Sequence, residues 1–430
     1  MPQDNNFLHS RYSRSDPGDR VRYVSFEPGA PVWSPAWHDA LGHLGTRMWD
    51  AGVRAVVLVY GSHVGADLFG AARLDEVGGL KRGYSRGIPG LESLLAAMRP
   101  RAWHPPSPSP GSEHATPPVP RIPLSNDDTT RTTLDSLLGD AGNFSEQYRK
   151  GLADGFSRSL ARPVACERFL WASRHHHLGR MEGALALFHS LQDIITQQRL
   201  QAGERIVLIA YGHAGQLPAL LSNLVAPGES SVRDALFETL ALFEGQRETP
   251  SDWIQHLRDL DRFLAEGQRD AWPALDVVTL GTPIRYGWNT DGVGRLLHLV
   301  NHRPIRRDGK RWLAKMELPA IVMEMPMAAG GDYVHQLAVA GTDAMPDTPW
   351  DEELNQALRE HLEPYDGFER WLECARRVTR CPEDGSCLLI DYQDATGEPV
   401  EESLFGHACY TRLNALLFQT QHVVEILYGG

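Results

Sequence analysis

The sequence is poor in cysteine, with five thiols spread over 430 residues. An odd, thin set of this kind makes no disulfide framework, so a reduced, cytoplasmic chain is the expectation. Cys381 and Cys387 flank a Pro-Glu-Asp-Gly-Ser turn. They read as free thiols, since no further ligands in step complete a metal site. Positive charge is also scarce: 42 Lys and Arg face 55 Asp and Glu, a net charge of -13. Phosphate contacts need clustered cations, so no nucleic-acid partner is expected. No apolar run approaches the roughly 20 residues that cross a bilayer, so no transmembrane segment is expected. Any membrane contact would then be transient and at the surface. The opening Met-Pro-Gln-Asp-Asn-Asn lacks a charged region followed by an apolar one, so no secretory signal is expected. Export would need a dedicated secretion machine.

What is present is enough apolar material for one large core, 42% of the residues. Ala55–Tyr60, Ile206–Ala210, Leu275–Leu280 and Cys387–Tyr392 are short, mostly apolar runs. Such runs suit strands covered on both faces of a parallel sheet. Amphipathic stretches separate them. Residues 34–51 place Trp37, Leu41, Leu44 and Met48 on one face, and residues 180–200 do the same with Met181, Leu185, Phe188, Leu191 and Ile195. Strand, helix, strand in series implies right-handed crossovers. The expected class is therefore α/β: a mostly parallel central sheet flanked by helices, in a single domain over 1–430. Residues 130–165 read as helical and polar. Two insertions interrupt the pattern. Residues 100–125 are rich in Pro and Ser and too long for a routine connection, so they read as a surface loop or lid. Residues 227–272, carrying Trp253, Leu257, Leu260 and Phe263, read as a helical cap.

The chemistry gathers around residues 205–216, Arg-Ile-Val-Leu-Ile-Ala-Tyr-Gly-His-Ala-Gly-Gln. A buried strand turns sharply through Gly212, His213, Ala214 and Gly215, and a helix follows over 217–225 with Pro218 in its first turn. Small residues are needed where a strand and helix nearly touch. This stretch resembles the nucleophile elbow of lipase-like α/β-hydrolases, written Gly-x-Ser-x-Gly and often extended as Gly-His-Ser-His-Gly-Gly. Aligned on His213-Ala214-Gly215, the serine position is occupied by Gly212. A second frame puts Ala214 there but leaves Gln216 where a small residue is required, so Gly212 is preferred. Neither frame supplies a hydroxyl.

Other segments carry the same resemblance, which covers most of 50–430. Tyr60-Gly61-Ser62-His63 after an early strand is similar to the His-Gly-Thr loop that supplies part of the oxyanion hole. The resemblance implies that Gly61, Ser62 and the His213 backbone N–H bind the oxyanion. Phe169-Leu-Trp-Ala-Ser resembles a Phe-x-Trp-Ser strand. Val278-Thr-Leu-Gly-Thr-Pro283 looks like the strand after the elbow helix. His335–Pro346 has the form strand, Gly, x, Asp, x, x, Pro, which makes Asp343 the expected triad acid. Asp332, in Gly330-Gly331-Asp332-Tyr333, is the reserve. An Asp in such a turn can also simply cap a helix, as Asp347 or Asp351 could. The histidine expected after the last strand is His407, preceded by Gly406, while His298 and His302 have weaker placement. The run His175-His176-His177 suggests metal, but adjacent residues do not easily converge on one ion. One is expected to pack near the site with the others exposed. No metal and no cofactor are expected.

The order nucleophile, Asp, His is that of α/β-hydrolases. The resemblance implies a serine-type hydrolase of acyl esters or lipids acting through an acyl-enzyme, with this chain inactivated or degenerate at Gly212. A secreted lipase-like effector would fit that description. The alternative is a non-catalytic binding protein on a degenerate hydrolase fold. Retention of both Asp343 and His407 favours the first.

Overall fold

The structure is a computed structural model. It describes residues 21–61, 127–245 (except 159, 161 and 229), 253–303 (except 284), 330–335, 346, 348–362, 381–392 (except 383) and 405–429. Ser62, Asp343 and the loop 100–125 lie outside the described residues.

Seven strands form one all-parallel sheet with helices on both faces. In chain order the elements are β1 (Val21–Ser25), α1 (Pro35–Asp50), β2 (Val53–Val59), α2 (Asp128–Leu138), α3 (Glu146–Ser157) and β3 (Ala165–Phe169). Next come α4 (His177–Gln198), β4 (Arg205–Tyr211), α5 (Gln216–Leu224), α6 (Ser231–Glu244), α7 (Trp253–Ala265), β5 (Ala274–Leu280) and β6 (Leu296–Asn301). The last are α8 (Pro349–Leu362), β7 (Ser386–Asp391) and α9 (Leu413–Tyr428). The strand order is β1-β7-β6-β5-β4-β2-β3. After β2 the chain steps outward to β3, and from β4 it winds the other way. The switch point therefore lies between β2 and β4, where open α/β sheets leave a crevice at the carboxyl ends of the strands.

Alternation along the buried strands divides the core in two. Ala55, Val57, Ile206, Leu208, Ala210 and Val277 pack beneath α4, α5, α6, α7 and α8. Val56, Leu58, Val207, Val278, Leu297 and Ile390 face α1, α3 and α9. Successive side chains on a strand point to opposite faces, so one apolar run serves both layers. The helices begin where the sequence caps them. Ser34, Asp127, Ser145 and Ser230 each accept a backbone N–H three residues on. His176 caps α4 in the same way, with Nδ1 accepting from Gly179 N at 3.1 Å.

Several boundaries differ from the sequence expectations. The 130–165 stretch is two helices, α2 and α3, followed by the start of β3. The strand expected at Phe169–Trp171 ends at Phe169, because the edge ladder with β2 stops there. β1 and β6 were not expected. β1 is a half-buried edge strand that carries Arg22, and β6 carries the buried polar residues His298 and Asn301. Both departures break the plain apolar pattern. α6 and α7, the helical part of 227–272, share the core of α4, where Phe188 stacks on Trp272 and Phe263 packs against it at a tilt.

Helices α1 and α3 touch backbone to backbone. A Cβ on Gly45 would lie 2.5 Å from Phe156 Cα. No rotamer change relieves a clash with backbone, so the two helices must part. Gly45→Ala is expected to lower unfolding stability by about 1–3 kcal/mol, despite alanine's better helix propensity. Urea denaturation measures it, and an equal or higher midpoint would refute the packing argument.

Candidate active site

The turn after β4 carries the first component. Gly212 has φ +56°, the left-handed region that residues with a Cβ adopt at a cost. The next residues run through a single 3-10 turn into α5. Two neighbours press on this turn. A Cβ on Gly215 would collide with Thr282 Oγ1, and a Cβ on Gly61 with the Tyr211 carbonyl. The ends of β2, β4 and β5 thus meet at one point, which explains the small residues at 61, 212 and 215.

His407 comes to that point from the far end of the chain. It sits just before a 3-10 turn that leads into α9. Its ring is 4% exposed and stacks on Tyr211, with centroids 4.6 Å apart and planes at 28°. The Tyr211 hydroxyl donates to the His407 carbonyl at 3.1 Å. His407 Nδ1 lies 2.7 Å from Asp332 Oδ2. A carboxylate only accepts, so Nδ1 carries a proton, and in the neutral ring Nε2 is then the acceptor. That nitrogen faces Gly212: a Cβ placed there would lie 2.7 Å from it.

Asp332 is fully buried, and both oxygens are occupied. Oδ1 accepts the His335 backbone N–H at 2.8 Å. Oδ2 accepts Tyr410 Oη–H at 2.9 Å as well as His407. Tyr410 Oη in turn accepts the Asn301 backbone N–H at 2.6 Å. Asn301 Nδ2 donates to the Gly406 carbonyl at 2.8 Å, and the Tyr333 N–H to the Phe405 carbonyl at 3.0 Å. Gly281 leaves the room for this arrangement. It sits at φ +60°, and a Cβ there would be 2.5 Å from Asp332 Oδ2.

Of the residues singled out from the sequence, Gly61, Gly212, His213 and His407 lie together at this edge. Asp343 and Ser62 lie outside the described residues. The acid that contacts His407 is the reserve, Asp332. His298 is turned elsewhere, with Nδ1 2.7 Å from Thr279 Oγ1 and Nε2 3.2 Å from the Asp384 carbonyl. Tyr211, Asn301 and Tyr410 were missed. Tyr410 follows His407 by three residues, and its only signal in the sequence is that proximity.

The expectation that only one of His175, His176 and His177 would be buried is corrected. All three are buried. His175 stacks on His213, with centroids 4.1 Å apart, and His176 caps α4. His177 Nδ1 lies 2.9 Å from Tyr286 Oη. Each ring has its own local task, which is why a run of three fits inside the core. Among the described residues no cluster of His, Cys, Asp and Glu could hold a metal ion, and no helix is long and apolar enough to cross a membrane.

His213 is 1% exposed, and neither ring nitrogen has a hydrogen-bond partner among the described residues. Burial pushes its pKa well below the ordinary histidine value, and His175, Arg180, His407 and Arg285 push the same way.

Comparison with protein-family models, with curated proteins and with solved structures finds no match to this chain.

The state of His213 sets a pH dependence. The folded chain holds this ring neutral, whereas the unfolded chain protonates it below about pH 6.5. There the unfolded state binds more protons, so stability falls as pH drops below that value. Urea midpoints measured from pH 7.5 down to 5 should decline, and His213→Phe should make the decline shallower. An unchanged slope in the variant would show that His213 is not held neutral.

Proposed function

We propose that this chain carries the framework of a serine-type acyl-ester hydrolase of the α/β-hydrolase kind, with Gly212 in the nucleophile position. One observation carries the reading. A buried His407–Asp332 pair is aimed, through Nε2, at the direction a side chain on residue 212 would take. The left-handed turn at the end of a central parallel strand and its place beside the switch point support it further.

The roles follow from the geometry. With a serine at 212, Oγ would attack the ester carbonyl carbon while His407 Nε2 takes its proton. Asp332 would hold the imidazole tautomer and stabilise the imidazolium. Backbone N–H groups at His213 and Gly61 would bind the developing oxyanion. Collapse would break the ester C–O bond, with His407 returning the proton to the leaving alcohol. Water, deprotonated by the same imidazole, would then release the acid. In the chain as it stands Gly212 offers no hydroxyl, and the covalent route is closed.

A second reading, a non-catalytic binding protein on the same framework, draws on one specific distance. His407 Nε2 is only 2.7 Å from the place of a Cβ on residue 212. The ring has settled into room a serine would use, and a serine fits only if the imidazole withdraws. Its stacking on Tyr211 and its bond to Asp332 oppose that movement; a new hydroxyl-to-imidazole hydrogen bond favours it.

Gly212→Ser decides between the two. A fluorophosphonate probe, which reacts only with an activated serine, should label Gly212→Ser and leave the starting chain unlabelled. Adding His407→Ala or Asp332→Asn should cut labelling by about 10³-fold or more. No labelling of Gly212→Ser, in a variant that still melts cooperatively, would support the binding-protein reading. Labelling of Ala214→Ser in its place would move the nucleophile position to 214.

A further inference from the structure

Two thiols take no part in the candidate active site, yet the fold brings them into contact. Cys381 precedes the turn that leads into β7, and Cys387 is the second residue of that strand. Both are free and buried, and their Sγ atoms lie 3.2 Å apart. A disulfide holds its sulfurs about 2.05 Å apart, so about 1.2 Å of movement separates this contact from a bond. The other two described cysteines are placed differently. Cys166 Sγ donates to the Val164 carbonyl at 3.7 Å, and Cys409 Sγ to the Gly406 carbonyl at 3.3 Å. The fifth, Cys374, lies outside the described residues.

The turn between the two thiols is already held closed. Gly385 has φ +70°, and a Cβ there would lie 2.6 Å from the Leu296 carbonyl, so the turn is pressed against the start of β6. His298 reaches the turn from β6, with Nε2 donating to the Asp384 carbonyl at 3.2 Å. Cys387 is fixed by the ladder, opposite Val21 on β1 and His298 on β6. Around the sulfurs Val300 and Leu389 complete a small apolar cluster, with Val21 and Tyr23 packed on it. Sheet pairing and turn therefore set the approach of the two sulfurs. Small apolar side chains would serve the packing equally well; what two sulfurs in contact add is reactivity.

We propose that Cys381 and Cys387 are a reversible redox site, closed to a disulfide by a small-molecule disulfide such as oxidised glutathione and reopened by a thiol reductant. One protein thiol, deprotonated, attacks an oxidant sulfur. A protein–oxidant S–S bond forms, the oxidant's own S–S bond breaks, and the departing thiolate takes up the proton. The second protein thiolate then attacks the protein sulfur of this mixed disulfide. The Cys381–Cys387 bond forms and the second oxidant thiol leaves with the other proton. In sum two thiols become a disulfide, and two electrons and two protons pass to the oxidant. Burial sets the pace of the first attack, which waits for local opening of the turn. The second attack is fast, because its partner is already in contact. The bond clips the turn entering β7, the strand that carries both β1 and β6, and restricts the unfolded chain. None of this uses a residue of the candidate active site, so the proposal stands apart from the ester-hydrolase reading.

Thiol counting on the full chain tests this. The chain is reduced with dithiothreitol, freed of it, and incubated with oxidised glutathione without denaturant. It is then quenched in acid and alkylated in urea, and its intact mass counts the free thiols. The starting chain has five cysteines, so loss of two should leave three alkylated. Cleavage after Arg380 and Glu383 should release two peptides joined through Cys381 and Cys387, which dithiothreitol separates. The oxidised chain should melt a few degrees above the reduced one. Cys381→Ala and Cys387→Ala should each abolish the joined peptides and the rise in melting temperature, and either variant suffices if the other misfolds. Five alkylated thiols after oxidation overturn the proposal, as does thiol loss seen only in denaturing urea. So do glutathione retained as a mixed disulfide, a bond from either cysteine to Cys374, and an oxidised chain that melts no higher than the reduced one. No variant here touches residue 212, Asp332 or His407, so failure of this test and failure of the ester-hydrolase reading are separate results.

Discussion

One buried carboxylate holds the carboxyl edge of the sheet together. Asp332 has no exposed surface, and a charge without water must be met by donors from the protein. It finds three: the His335 backbone three residues on, and the His407 ring and Tyr410 hydroxyl from one segment late in the chain. Tyr410 passes the constraint to the end of β6 through the Asn301 N–H, and His407 passes it to the turn after β4 through its stack on Tyr211. Removing any donor leaves the others bonded to an under-satisfied buried acid. The imidazole is therefore placed by a network, which makes its orientation a property of the fold and not of one side-chain rotamer.

The same network shows what a linear reading could reach. The elbow was legible because its requirements are local. A strand, a turn of glycines and alanine, and a helix are consecutive in the sequence, and Gly212 and Gly215 are explained by the closeness of His407 and Thr282. His407 was legible from its place after the last strand and the glycine before it. The acid was not. Asp343 and Asp332 both sit in glycine-containing turns, and nothing local says which turn the sheet brings to His407. That choice is made by the pairing of β6 with its neighbours and by Asn301, whose backbone carbonyl accepts the Asp332 N–H. β6 itself was missed, since His298 and Asn301 interrupt its apolar run.

The histidine run teaches the complementary lesson. Three adjacent ionisable residues look like surface or metal, because burying one unsatisfied imidazole is already expensive. Here burial spreads over distinct partners: a helix cap, a tyrosine hydroxyl and an aromatic stack. Only His213, on the other side of that stack, lacks a partner for its ring nitrogens among the described residues. A pattern search weighs residue types, whereas the partners depend on Tyr286, more than a hundred positions away.

The strand order also governs how the molecule is made. Among the described residues β1 pairs only with β7, Val21 opposite Cys387 and Ser25 opposite Asp391. The first of the described strands must wait for the last of them. Strands β2 to β5 can pair as they emerge, each within reach of its neighbour, but the sheet keeps an open edge on β6 until β7 arrives. His407 follows β7 in the chain. During synthesis the turn after β4 therefore forms well before the imidazole that faces it, and an unfinished chain has the strand, the turn and the helix without His407.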